Sequence, residues 1–272
     1  MNRLLFGLTL LFYFISAFHY LLYLINQRES IGKVCQISTI AGFGLHTVTL
    51  IYQMVDLGHI PITSIRESLV FFSWAIVFIY LFLEYRYKIR VMGAFIIPLA
   101  FIAIVVSLTF PIVTTPLPEY FKSAWLGVHT TLAFLGDAAF TIAFGVGIMY
   151  LLQERQLKRK NPGAFYRRLP SLDVLDELNY KSVAIGFPLL TLAIISGSIW
   201  ANSAWGYYWG WEPKEIWSLI TWIVYAVYLH ARLMSGWRGR KTAYLAVIGF
   251  LIVIFTFLGI NLLLPDSRHA FK

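Results

Sequence analysis

The sequence predicts an all-α polytopic membrane protein, a bundle of eight transmembrane helices with both termini extracytoplasmic. Three observations predict it. Hydrophobic residues make up 59% of the 272-residue chain and charged residues only 13%, against roughly a quarter charged in soluble domains. Eight apolar runs are each long enough to cross a hydrocarbon layer of about 30 Å as a helix. Basic residues concentrate in alternate connections between those runs. Mean hydropathy is +0.71. The short connections leave no room for a separate soluble domain, so residues 1–272 read as a single integral membrane domain.

Taken in order, the runs lie near 4–25, 34–55, 67–84, 91–110, 124–152, 183–203, 215–234 and 243–264. The first exceeds the apolar stretch of a signal peptide and lacks a convincing cleavage site, so it reads as a span. The second carries Cys35 and, near its middle, His46. The third is short, and Arg66 and Glu67 at its start either belong to an external site or mark the interface. The fourth rests on apolar length alone. The fifth carries His129 near its start and Asp137 eight residues later, about two helical turns deeper. That carboxyl is either protonated or paired with a histidine such as His46. The sixth runs into an aromatic segment. Pro213 suits the first turn of the seventh helix, and Glu215 favours its N-terminus by charge. His230 lies fifteen residues into that span, and His269 lies five residues beyond the eighth.

Orientation follows from the basic residues. With connections 26–33, 85–90, 153–182 and 235–242 in the cytoplasm, that side, with Arg232 at its edge, holds 16 of the 22 lysines and arginines. The other side holds only Arg3, Arg66, Lys122, Lys214, Arg268 and Lys272. This is the positive-inside pattern. The net charge of +9 therefore reports topology and contact with the lipid bilayer, not nucleic acid. The single cysteine, Cys35, excludes an internal disulfide, a CxxC redox pair and a CxxCH haem-attachment site within this chain. No inverted repeat of the transporter kind is visible.

The external stretch "WANSAWGYYWGWEPKEIW", residues 200–217, holds five tryptophans and two tyrosines. Interfacial aromatics commonly serve as anchors, and for any one of these residues anchoring competes with a binding role. An aromatic belt, however, needs neither a Glu-Pro-Lys-Glu insert nor Gly206 and Gly210 between its rings. His129 and His269 bracket the segment on its own side of the membrane. Neutral imidazole is a common axial ligand of haem iron. Indole and phenol rings match a porphyrin face, and a lysine can meet its propionates. The candidates are therefore His129 and His269 for iron, Trp205, Trp209 and Trp211 for the ring, and Glu212, Lys214 and Glu215 as propionate contacts or proton donors. His230 and His19 fall at matching depths in the inner half. Each reads equally as a satisfied polar residue of a bundle or as a functional one.

The stretch "WGYYWGWEPKEIWSLITWIVYAVYLHARLMSGWRG" resembles the tryptophan-rich (WWD) signature, WGxxWxWDPKE, of the haem-handling cytochrome c assembly proteins. That group includes the CcsA (or ResC), CcmC and CcmF proteins. The match runs from Trp205 to Glu215, with Glu212 where the signature has aspartate. The exchange keeps the charge and lengthens the arm by one methylene. A second stretch, "GHIPITSIRESLVFFSW" at 58–74, is similar to the outer loop and following span of CcsA proteins. The span count and the placing of the signature before the seventh span also resemble CcsA. CcmC-like proteins are expected to have fewer spans, and CcmF-like ones more.

The resemblance implies that His129, in "WLGVHTTLAF", and His269, in "LLLPDSRHAF", ligate haem b at the external surface. It implies that His230, in "YLHARL", helps to hold a haem within the membrane. The second ligand there comes from a CcsB-like partner subunit, from His19 or from His46; the sequence leaves the choice open. The implied function is cytochrome c assembly: haem, as bound substrate, passes from the cytoplasm to the external site. With a CcsB-like membrane subunit it is there attached to the CxxCH of apocytochrome c. The chain would be a subunit of a cytochrome c synthase (haem lyase) in the cell inner (cytoplasmic) membrane or an equivalent energy-transducing membrane. It would supply orientation and water exclusion but no nucleophile. A thiol-reducing protein is a further expected partner. Two other classes stay open: a HemX-like regulatory haem-binding protein, and a b-type electron-transfer cytochrome, which would leave the aromatic segment without a role.

Overall fold

Each of the eight apolar runs forms a helix long and apolar enough to cross a membrane. The computed structural model describes residues 3–112, 119–158 and 163–264. The N-terminal half comprises α1 (Arg3–Asn26), α2 (Glu29–Leu57), α3 (Ile65–Tyr87) and α4 (Gly93–Ser107). The C-terminal half begins with α5 (Ala124–Leu157), followed by the one-turn α6 (Ala164–Arg168), then α7 (Leu172–Trp205) and α8 (Pro213–Leu233). α9 (Arg240–Ile254) continues through a π-helical turn at Phe255–Gly259 into α10 (Ile260–Leu263).

The helices outrun the hydrophobic stretches that announce them. α5 and α7 reach 34 residues each, beyond the expected spans 124–152 and 183–203, and so shorten the expected connection 153–182. Propagating a nucleated helix adds one hydrogen bond per residue fixed, so polar sequence extends it until a stop signal intervenes. Starts are marked by Ser64, Ser123 and Ser171, whose hydroxyls accept from the amides of Glu67, Trp125 and Val174. Gly206 ends α7 at φ 83° and donates its amide to Asn202 O, a conformation that costs glycine little.

α5 is the central element. It packs along α7 and α9 on one side and against α3 on the other, joining the two halves. Within the halves, α1 lies on α2 and α4, α3 on α4, and α8 on α7 and α9. The α5–α7 crossing is backbone-close: a Cβ on Gly136 would lie 3.2 Å from Gly186 O. Small residues at such crossings allow the van der Waals packing that holds helices together in lipid. The crossings alternate in direction, so the start of α1, the start of α5, the end of α7 and the start of α8 share one end of the bundle.

Polar contacts fix the rest. In the N-terminal half Tyr13 OH is hydrogen-bonded to His46 Nδ1 at 3.1 Å, Ser16 pairs with Thr39, and Tyr20 OH donates to Glu84 Oε2 at 3.3 Å. Of the two alternatives for Asp137, pairing with His46 is not the one found, because His46 faces Tyr13 of α1. In the C-terminal half, at the end opposite the aromatic segment, Arg232 of α8 binds Asp176 of α7 at 2.6 Å. The other oxygen of Asp176 accepts the amide of Gly239, also at 2.6 Å. One carboxylate thereby ties the ends of three helices.

Candidate functional site

The aromatic segment roofs a cleft of about 1020 Å³, counting its open mouth, between α5, α7, α8 and the end of α9. One wall is apolar, with Phe134 from α5, Leu190 and Ile194 from α7, and Val253 and Phe257 from the last span. The mouth carries His129, Trp200, Tyr208, Trp209 and Lys214. Asp137 and the hydroxyls of Thr221 and Thr256 lie deeper. Those two hydroxyls are 3.2 Å apart and link α8 to the π-helical turn that follows α9. An apolar slot with a few convergent polar groups is the usual form of a small-molecule site.

His129 enters from the second turn of α5, just after the Ser123 cap. Its Nδ1–H donates to Ala193 O of α7 at 2.7 Å. A carbonyl can only accept, so Nδ1 carries the proton of this contact, and in a neutral ring Nε2 would be the ligating nitrogen. A ring held through Nδ1–H by a backbone carbonyl is the orientation common among metal-ligating histidines.

The chain from Gly206 to Glu215 wraps around one carboxylate. Glu215 Oε2 accepts the amides of Gly210 at 2.8 Å and of Glu212 at 3.1 Å, the two residues either side of Trp211. Convergence of both amides on a single oxygen accompanies the left-handed φ of 56° at Trp211. A bulky residue seldom adopts that region. Glu212 and Glu215 complete a reciprocal capping box at the start of α8, with Pro213 in its first turn. Both carboxylates therefore have structural partners; Lys214, between them, lines the cleft.

The expected aromatic contacts separate into three roles. Trp209 lines the cleft. Trp211 stands 68% exposed, edge-on to Trp209 with ring centroids 5.9 Å apart. Trp205 packs edge-on against Trp200 at 4.9 Å. Trp200, which the sequence did not single out, lines the cleft and donates its Nε1–H to Tyr120 O at 3.0 Å. Tyr208 and Asp137 are further lining residues. Spacing could have found Trp200: it lies seven residues beyond Ala193 on α7, two turns along the same face.

The other candidate histidines are elsewhere. His230 is exposed near the far end of α8, on an outward stripe with Ile223, Val227 and Met234. His19 bonds its Nδ1–H to Ile15 O within its own helix at 2.7 Å, and His46 is buried against Tyr13. Neither is brought to His230, since α8 rests on α7 and α9 while α1 and α2 rest on each other. His269 lies outside the described residues.

Fold and site together define a class: a multi-pass helical membrane protein with a histidine-bearing aromatic cleft at one membrane face. Comparison with known proteins gives the particular family. Residues 62–265 match the family model described as cytochrome C assembly protein. The chain is 35% identical over 277 residues to the cytochrome c biogenesis protein CcsA of Guillardia theta, covering 94% of this chain and 92% of that one. It is 33% identical to the CcsA of a Synechococcus strain, covering 88% and 85%. The fold is that of the cytochrome c heme lyase CcmF, with a TM-score of 0.66 at 16% identity, over 94% of this chain and 46% of that longer one. The chain belongs to the cytochrome c assembly family, and within it resembles the CcsA biogenesis proteins of plastids and cyanobacteria.

Proposed function

We propose that this chain presents haem for covalent attachment to apocytochrome c, as the membrane subunit of a synthase completed by a CcsB-like partner. The observation that carries the reading is His129: an imidazole oriented by its Nδ1–H bond to Ala193 O, at the mouth of an aromatic cleft. Haem b enters as substrate, with its ring against Trp209, Trp200 and Tyr208 and its iron ligated by His129 and His269. Lys214 meets a propionate. Trp205 and Trp211 support Trp200 and Trp209 respectively. The cleft faces the extracytoplasmic side, a reading that the basic connections at the other end support.

What the protein contributes is position. The thiols and the replacing histidine come from the CxxCH segment of the client, and holding both vinyl groups beside them is the main rate effect. His230 holds a haem in transit. Its place on the outward stripe of α8 supports a second ligand from a neighbouring subunit over His19 or His46.

The test is co-expression with a CcsB-like subunit and an apocytochrome bearing CxxCH, followed by denaturing electrophoresis and haem staining. Covalent haem on the client is expected with wild type and absent with His129→Ala. A wild-type complex that binds haem but attaches none would return the chain to the regulatory, HemX-like reading.

A further inference from the structure

The contact between α5 and α7 beside the cleft mouth leaves no room for a side chain at position 197. A Cβ there would lie 2.6 Å from His129 Nδ1, 2.7 Å from Cε1 and 3.3 Å from Cγ. The missing side chain is the notch in which the imidazole rests. One turn earlier, Ala193 O accepts the Nδ1–H of the same ring at 2.7 Å. In an α-helix that carbonyl also receives the amide of residue 197, and here Ser196 Oγ approaches it at 3.1 Å as well. Clearance and hydrogen bond therefore come from a single turn of α7.

We infer that Gly197 is a positioning residue for His129: its lack of a side chain seats the imidazole against α7 and thereby decides which ring nitrogen is offered to the ligand. This rests on the proposed role of His129 as an iron ligand. Displacing the ring toward the cleft would break the bond to Ala193 O and release the tautomer that the bond fixes. Moving α7 away instead would open the backbone contact between Gly136 and Gly186. Glycine inside a helix is otherwise unfavourable relative to alanine. At a position with no steric demand, alanine would therefore stabilise the protein, and the sign of the effect is informative.

The experiment uses the full chain with its haem, comparing Gly197→Ala, His129→Ala and the double variant by optical spectrum, haem retention and apoprotein melting temperature. Gly197→Ala is expected to lower haem retention about tenfold and to convert the low-spin spectrum to high-spin, with added imidazole restoring it. Its melting temperature should fall in the wild-type background and rise in the His129→Ala background, because the three nearest atoms to the added Cβ all belong to that ring. If Gly197→Ala fails to accumulate, recovery of the double variant supports the inference, and its continued absence overturns it. Wild-type spectrum and retention in Gly197→Ala, with both lost in His129→Ala, would overturn this inference and leave the ligand assignment standing. An unchanged spectrum in His129→Ala would remove the ligand assignment and this inference with it.

Discussion

At the scale of single residues, the tryptophans of one short segment do different work. Trp209 lines the cleft and Trp205 does not, so Trp209→Ala should reduce haem content severalfold while Trp205→Ala reduces it less. Haem content per protein after purification checks the order, and equal losses would contradict it. Trp211 pays in backbone geometry for its position, with φ at 56°. Relief of a left-handed residue is worth about 1 kcal/mol, so Trp211→Gly should raise the melting temperature even as it removes an indole beside the site. A lower melting temperature would show that the exposed ring stabilises more than the backbone loses. The resemblance to a tryptophan signature identified these residues without ranking them, because which indole faces inward depends on a loop conformation that composition does not encode.

At the scale of elements, the start of α8 is held by Glu215 and its far end by Asp176. Replacing Glu215 with alanine leaves the amides of Gly210 and Glu212 without their acceptor, a loss of about 2 kcal/mol at the upper range for helix caps. Limited proteolysis between residues 206 and 212 should accelerate accordingly, and an unchanged cleavage rate would count against the clasp. Glu212→Asp should be tolerated, since either carboxylate serves at a helix start. At the other end the Arg232–Asp176 pair is nearly buried, with side-chain exposures of 7% and 13%. Removing one partner of such a pair costs about 3–5 kcal/mol, so Arg232→Ala should melt markedly below wild type in detergent. A difference within the range of ordinary surface changes would contradict this. The sequence placed Glu215 at the helix start but not its bonds to Gly210 and Glu212, and the second device was not legible: Asp176 and Arg232 stand 56 positions apart, and only the fold shows that α7 and α8 bring them together.

At the scale of the whole molecule, the eight spans were legible because length and apolarity suffice to specify a membrane helix. Their ends were not, since polar extensions of α2, α5 and α7 continue the helices past the apolar runs. His129 and the aromatic segment were recognisable as neighbours from topology alone. The cleft beneath them needed the α5–α7 crossing, where two glycines let the backbones touch. The proposed orientation rests on the distribution of charge. In a Cys35→Ser background, a cysteine at Tyr208 should react with an impermeant maleimide added outside intact cells and one at Met234 should not; the reverse pattern would invert the assignment. The account turns finally on His129. The most direct measurement is the optical spectrum and haem content of purified His129→Ala, with and without added imidazole. Loss of a low-spin haem signal that imidazole restores is the predicted result, and wild-type haem content with an unaltered spectrum would contradict it.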